Sequence, residues 1–226
     1  LAYSLLVKEP TSGPDAVPGG TSNTAVGRAA AQRLIATFVQ VDDPVVGAVV
    51  EHLSEADDER VAALLDVVLS DPDRLQVLRD SGLMDGPPNP ALDRVSRMTA
   101  EALGTSLASV VLVDRDRQFL VGCNVPESEF PRSRPLDMSF SKYVVAGGRP
   151  MIVDNAPKHR LVARHAAVQS GVVLAYAGVP LVDPHGHAIG ALCTWDRRPR
   201  HWTSGQIQIL TDLAQVAHTK VFRSLP

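Results

Sequence analysis

The sequence of 226 residues has only two cysteines and few aromatic residues, and its basic residues do not outnumber its acidic ones. Cys123 and Cys193 lie far apart, without neighbouring cysteine or histidine at zinc-ligand spacing, so we expect neither a disulfide scaffold nor a structural zinc. The formal net charge is −3, which provides no basic surface for a phosphate backbone. We therefore expect no nucleic-acid partner.

Long apolar runs are also lacking, so no segment is predicted to cross a membrane. The opening residues Leu1 to Val7 are mildly apolar, but they are shorter than the apolar region of a secretory signal and carry no preceding basic residues. We expect a cytoplasmic protein that does not associate with membranes.

Three regions differ in composition. Residues 8–23 hold three prolines and three glycines with little to bury, which predicts a flexible tail over 1–23. Helical periodicity then predicts a helical N-terminal region over 24–72, with further helices in 45–53 and 54–69 after the first one. The first helix is expected to bury one face formed by Val26, Ala30, Leu34 and Phe38. The remaining residues, 73–226, are predicted to form the main domain.

The main domain alternates between helix and strand patterns. A helix is predicted between the Asn89-Pro90 start signal and Gly104, and another after Thr203, whose spacing to Gln206 forms a capping box. Short apolar runs predict about five strands: Leu107 to Val113, Gln118 to Cys123, Pro150 to Val153, Tyr176 to Leu181 and Ala188 to Asp196. These predict an α+β fold. Residues 125–140 and 154–172 fit neither period, and we expect a ligand there because such loops often form sites.

From Leu78 onward, seven motifs resemble in order those of the GAF family of bacterial sensory proteins. They are Leu78 to Leu83, Leu92-Asp93, Val113 to Gln118, Leu136 to Ser141, Ile152 to Asn155, the hairpin Tyr176 to Cys193, and Asp196 to Arg200. The resemblance implies an antiparallel sheet of five to six strands with helices on one face. A pocket on the other face would bind a small molecule such as a cyclic nucleotide, a tetrapyrrole or an aromatic compound, and terminal helices would form a homodimer.

Two positions depart from this family. Ser141 stands where many relatives have a cysteine, so thiolate chemistry is not expected at that position. Trp195 stands where relatives usually have a smaller aliphatic residue, and its ring would either stack on a ligand or pack in the core.

Seven residues are candidates for ligand binding, each with a structural alternative. Ser139, Ser141 and Tyr143 open a predicted short helix, where hydroxyls and backbone N–H groups could hold an anion or simply cap the helix. Tyr176 could stack on a ligand or pack at a strand edge. Trp195 is the fifth candidate, with the two alternatives given above. Asp154 could orient a ligand or tie down a loop. Arg134, together with Arg132 and Arg149, could receive an acidic ligand or remain solvated.

The leading hypothesis is a non-enzymatic sensor that binds a small molecule and signals through dimer helices or a partner protein. A scaffold with a vestigial pocket is the main alternative. A haem sensor using one histidine is disfavoured because His159 and His165 are not spaced for one helix face. An enzyme like free methionine sulfoxide reductase is disfavoured because Cys193, amid apolar residues, is interpreted as core. The cofactor, if any, is left open, and no metal site is predicted.

Overall fold

A computed structural model describes residues 25–39 and 55–222. The predicted flexible tail over 1–23 and the predicted helix over 45–53 lie outside the described residues. Three helices make up the described N-terminal part: α1 (Ala25–Val39), α2 (Glu55–Leu69) and α3 (Pro72–Asp80). Within these ranges, no helix combines the length and the apolarity that a membrane crossing requires.

The first helix buries a different face from the predicted one. Ala31 and Ile35 are buried, whereas Leu34 is 50% exposed. The reason is close packing against the helix α5 (Ser141–Gly147), because a Cβ atom added to Gly147 would lie only 3.5 Å from Ala36 Cα. Because α1 and α5 come this close, α1 turns toward α5 the face that carries the small residues Ala31 and Ala36. In α2, Val61, Leu65 and Val68 are buried.

The main domain contains the predicted antiparallel sheet, with six strands. Their order is β3-β2-β1-β6-β5-β4. The strands are β1 (Leu107–Val113), β2 (Arg117–Cys123), β3 (Ser133–Pro135), β4 (Met151–Val153), β5 (Ala175–Val182) and β6 (Ala188–Asp196). The strand β3 lies in a segment expected to be irregular, since three residues are too few to show a strand period.

Alternation along the strands divides the core into two layers, one on each face of the sheet. Val110 and Leu112 pack in one layer with the helices α4 (Pro90–Leu103) and α7 (Ser204–Val221). Val111 and Val113 pack in the other layer, on what we call the pocket face. On the pocket face, α5 packs against the sheet, and α1 and α2 pack against α5, so helices lie on both faces of the sheet.

The ends of α4 and α7 follow their sequence signals. Asn89 accepts hydrogen bonds from the N–H groups of Ala91 and Leu92, and Gly104, with φ of 62°, caps the C-terminal end of α4. Thr203 and Gln206 form the predicted capping box of α7. The segments that were expected to be irregular fold over the pocket face as two 3₁₀ turns, Leu136–Met138 and Ala156–Lys158, and the short helix α6 (Ala166–Gln169).

Candidate ligand-binding site

A cavity lies on the pocket face between the sheet and the segments that cover it. Most of its lining is apolar, and polar or aromatic side chains come both from the sheet and from the segments that cover it: Gln118, Phe130, Arg134, Phe140, Ser141, Tyr176 and Trp195. The centre of a water-sized sphere can occupy about 40 Å³ of it. One water needs roughly 10–15 Å³ on this measure. The cavity in this conformation therefore accommodates only a small group.

Three side chains at the cavity wall link the sheet to the segments that cover it. The Ser141 hydroxyl lies 3.1 Å from the Tyr176 phenol oxygen and donates to Cys193 Sγ over 3.7 Å. Burial raises the pKa of the Cys193 thiol to about 12 and raises the pKa of the Tyr176 phenol well above its ordinary value. Both groups therefore remain protonated and neutral at physiological pH.

Gly178 makes room for the Tyr176 ring. The two residues share one face of β5, and a Cβ atom on Gly178 would lie 2.9 Å from Tyr176 Cε1. Because glycine has no side chain, the ring can lean along the strand toward Ser141. The glycine of this hairpin motif thus positions a candidate site residue.

Aromatic rings form much of the cavity wall. The Phe140 ring centroid lies 5.2 Å from that of Tyr176, and the Phe130 centroid lies 5.6 Å from that of Trp195. Such tilted arrangements at these distances are favourable for aromatic pairs. The cavity therefore offers flat apolar surfaces from both sheet and cover.

Trp195 and Arg134 add buried hydrogen-bond donors to the same cavity. Trp195 is 6% exposed, and its Nε1 has no hydrogen-bond partner within 25–39 and 55–222. The guanidinium carbon of Arg134, a residue that is 7% exposed, lies 4.2 Å from the centroid of Phe130. Gln118 is the cross-strand partner of Arg134, which places their side chains side by side on the sheet.

The other predicted site residues lie outside the cavity lining. Ser139 Oγ accepts a hydrogen bond from the Lys142 N–H over 3.2 Å, which caps the start of α5, and Tyr143 is packed in the core of the pocket face. Asp154 Oδ1 accepts from the Trp202 N–H over 3.2 Å, and Oδ2 lies 3.0 Å from His201 Nδ1. Asp154 thereby ties β4 to the chain before α7. The structure brings together Arg134, Ser141, Tyr176 and Trp195 only.

Phe130, Phe140 and Gln118 line the cavity but were not among the predicted site residues. Gln118 carried a usable signal, because it alternates with Leu120 on a strand whose inward face is apolar. No comparable period marks Phe130 and Phe140, which precede or follow turns. Their positions depend on how the cover folds over the sheet.

One histidine, His165, contacts the cavity-lining residue Phe140 and serves a structural role. His165 Nδ1 accepts a hydrogen bond from the Ala167 N–H at the start of α6, and its ring contacts Phe140 edge-on at 4.6 Å. Burial, helped by the charge of Lys142, lowers the pKa of His165 to about 4. The described residues include no group of three or more histidine, cysteine or acidic side chains placed to hold a metal ion.

A family model for the GAF domain matches residues 87–219. The chain belongs to the GAF domain family. The resemblance seen in the motifs is thus confirmed over most of the main domain. A comparison with proteins of curated function finds no match.

Solved structures similar to this chain include other GAF-type proteins. The GAF domain from an Acinetobacter phosphoenolpyruvate-protein phosphotransferase is 17% identical, with a TM-score of 0.48, and the match covers 68% of this chain and 96% of that one. The free methionine-R-sulfoxide reductase from Neisseria meningitidis, solved with its substrate, is 22% identical, with a TM-score of 0.48 and coverage of 72% and 91%. Neither assigns a ligand or a reaction to this chain.

Proposed function

We propose that this GAF-domain protein is a non-enzymatic sensor that binds a small molecule in the cavity and transmits its occupancy through helices. The observation that carries the proposal is the position of α5. Its first residue, Ser141, lines the cavity, and the helix packs against α1 and α2 on its other side. A ligand that displaces Ser141 or Phe140 would therefore shift the surface on which the N-terminal helices rest.

The output of the sensor would be a change in a homodimer or in a partner complex. Several large apolar side chains remain exposed on the helices: Met98 on α4 and Ile209 and Val216 on α7, beside Leu34 on α1. Ile209 and Val216 are seven positions apart and so lie on one face of α7. This apolar face of α7 suits the predicted homodimer.

The location of the protein is proposed to be the bacterial cytoplasm. Its two cysteines, Cys123 and Cys193, are free and buried, which suits a reducing compartment.

Cysteine chemistry of the reductase kind is disfavoured by the positions of both thiols. Cys123 and Cys193 pair with Ser109 from opposite sides, so their Cα atoms lie two strand spacings apart, about 9–10 Å. That separation prevents a disulfide without backbone movement. Burial raises the pKa of the Cys123 thiol as well, so neither cysteine is a thiolate at neutral pH.

A thermal-shift screen with a metabolite panel tests ligand binding. A ligand at 100 times its Kd stabilises the folded state by about 2.7 kcal/mol, which raises Tm by roughly 5–11 °C for a chain of this size. Val172 lines the cavity, so Val172→Phe fills it and should abolish the shift. Leu174→Phe is the matched control, because Leu174 packs against the same core without lining the cavity. A panel without any stabilising compound would contradict the sensor proposal.

A scaffold module is the second candidate, and the narrowness of the cavity favours it. A pocket already filled by side chains would leave the helical surface as the functional part. In that case Val172→Phe would leave partner binding in a pull-down unchanged and independent of any metabolite. For a sensor, the compound found in the screen changes partner binding by wild type but not by Val172→Phe.

A further inference from the structure

Two side chains that line the cavity have polar groups that can donate hydrogen bonds but cannot accept them. The indole Nε1–H of Trp195 and the guanidinium of Arg134 can only donate hydrogen bonds. Trp195 Nε1 is buried and makes no hydrogen bond to any residue that the structure describes. Burying an indole N–H without an acceptor is unfavourable, so a ligand that provides an acceptor oxygen would be favoured at this place.

The charge at the cavity wall is positive. Arg134 is the cation among the described lining residues, and none of those residues carries a carboxylate. Behind the wall, the charges of both Lys142 and Asp137 act on His165. Burial lowers the pKa of Lys142. His165 is neutral at physiological pH. The field at the wall therefore favours an anion over a cation.

Both donor side chains, Arg134 and Trp195, contact the same aromatic ring, that of Phe130. Arg134 stacks over Phe130 and Trp195 packs against the same ring, so an anionic group held by both would have its remaining atoms beside Phe130. Carboxylates match a guanidinium in planar, charge-assisted hydrogen bonds. The rest of the wall is mostly apolar and aromatic, with Gln118 and Ser141 as its other polar side chains. Because the cavity is also small, it selects a short hydrocarbon or single-ring body.

We infer that the cavity is selective for a small organic acid, whose carboxylate accepts hydrogen bonds from Trp195 Nε1 and Arg134 while its apolar body packs against Phe130 and Phe140. This inference rests on the proposed sensor function and narrows it to one ligand class. A free carboxylic acid of low mass fits it, whereas an amine does not, because the wall offers no carboxylate to pair with an ammonium group.

Indole N–H resonances in ¹H–¹⁵N NMR spectra test the inference directly, since the chain has two tryptophans. Trp202 Nε1 donates to the Val153 carbonyl over 3.1 Å and serves as an internal control. Benzoate is the probe, with benzamide and benzylamine as its neutral and cationic counterparts. We expect benzoate to shift the Trp195 indole resonance downfield and to leave that of Trp202 in place. Benzamide should bind at least tenfold more weakly, and benzylamine should not bind.

Two conservative variants separate the donors from the general packing. Trp195→Phe keeps a ring but removes the N–H, and should weaken benzoate binding several-fold. Arg134→Met removes the charge, and should weaken benzoate at least tenfold but benzamide much less, because the neutral amide loses only an uncharged acceptor contact. If Arg134→Met unfolds, Arg134→Lys keeps the charge without the planar fork and should lose part of the preference for benzoate.

The outcomes distinguish this inference from the sensor proposal on which it rests. Equal or tighter binding of benzamide or benzylamine in the cavity would overturn the preference for acids and leave the sensor proposal standing. A benzoate shift confined to Trp202 would also overturn it. If neither these probes nor any metabolite of the panel binds, both the inference and the sensor proposal fail.

Discussion

Ser141 and Tyr176 form the contact between α5 and the sheet at the cavity wall, with 3.1 Å between their hydroxyl oxygens. The two residues come from segments 35 positions apart. Ser141 belongs to the helix that supports α1 and α2, whereas Tyr176 belongs to β5. The pair therefore connects the cavity wall to the helix α5, on which α1 and α2 pack.

Removing either hydroxyl should destabilise the fold modestly. We expect Tyr176→Phe and Ser141→Ala each to lower the free energy of unfolding by about 0.5–1.5 kcal/mol, the usual net value of such a hydrogen bond. Because both variants break the same contact, the double variant should cost less than the sum of the two, as measured by urea unfolding. Additive costs, within about 0.3–0.5 kcal/mol, would show that the two hydroxyls act independently.

Gly178 should tolerate alanine poorly. A Cβ atom at this position would overlap the Tyr176 ring, so Gly178→Ala should lower the free energy of unfolding by about 1–3 kcal/mol through overpacking. Gly205 provides a matched control, since it lies in the first turn of α7 with its nearest neighbour at 3.9 Å. Gly205→Ala should be neutral or slightly stabilising in the same denaturant assay. Equal effects at both positions would contradict the role assigned to Gly178.

Acid should destabilise the protein through His165. The folded-state pKa of His165, about 4, lies below its unfolded value of 6.5, so the unfolded chain binds the proton more readily between these pH values. The stabilisation is therefore complete above pH 6.5 and is lost as the pH falls toward 4. The loss should amount to roughly 3 kcal/mol at most, since one pKa unit corresponds to about 1.4 kcal/mol.

His165→Asn should reduce that pH dependence. An asparagine side chain can accept the Ala167 N–H as the cap of α6 but does not titrate. The stability of the variant, followed by urea unfolding from pH 7.5 to 4.5, should fall less steeply than that of wild type. Parallel pH profiles for the two proteins would assign the acid sensitivity to other groups.

The exposed apolar face of α7 should mediate self-association. We expect Ile209→Glu combined with Val216→Glu to weaken a homodimer at least tenfold in sedimentation experiments, because two charges would be placed in an apolar contact. Leu34→Glu changes an exposed residue of α1 and tests the alternative surface. A dimer weakened only by Leu34→Glu would place the interface on the N-terminal helices.

Local signals in the sequence were sufficient for five of the six strands and for the ends of α4 and α7. The hairpin from Tyr176 to Asp196 and the Thr203–Gln206 capping box depend on neighbours in sequence, and both formed as predicted. The buried face of α1 was predicted wrongly, because it depends on close approach to Gly147 in a distant helix. Site residues divide in the same way. Gln118 and Tyr176 lie on longer strands and could be placed by alternation. Arg134 on the short strand β3, Phe130 and Phe140 could not, because their positions depend on how the segments that cover the sheet fold.

Amide hydrogen exchange, followed by mass spectrometry, tests the central claim that cavity occupancy reaches the N-terminal helices. The ligand is the compound that gives the largest thermal shift in the panel. The account predicts that it changes exchange in α5 and also in α1 and α2, and that these changes vanish in Val172→Phe and persist in Leu174→Phe. Changes confined to the strands and loops around the cavity, with α1 and α2 unaffected at saturating ligand, would contradict it.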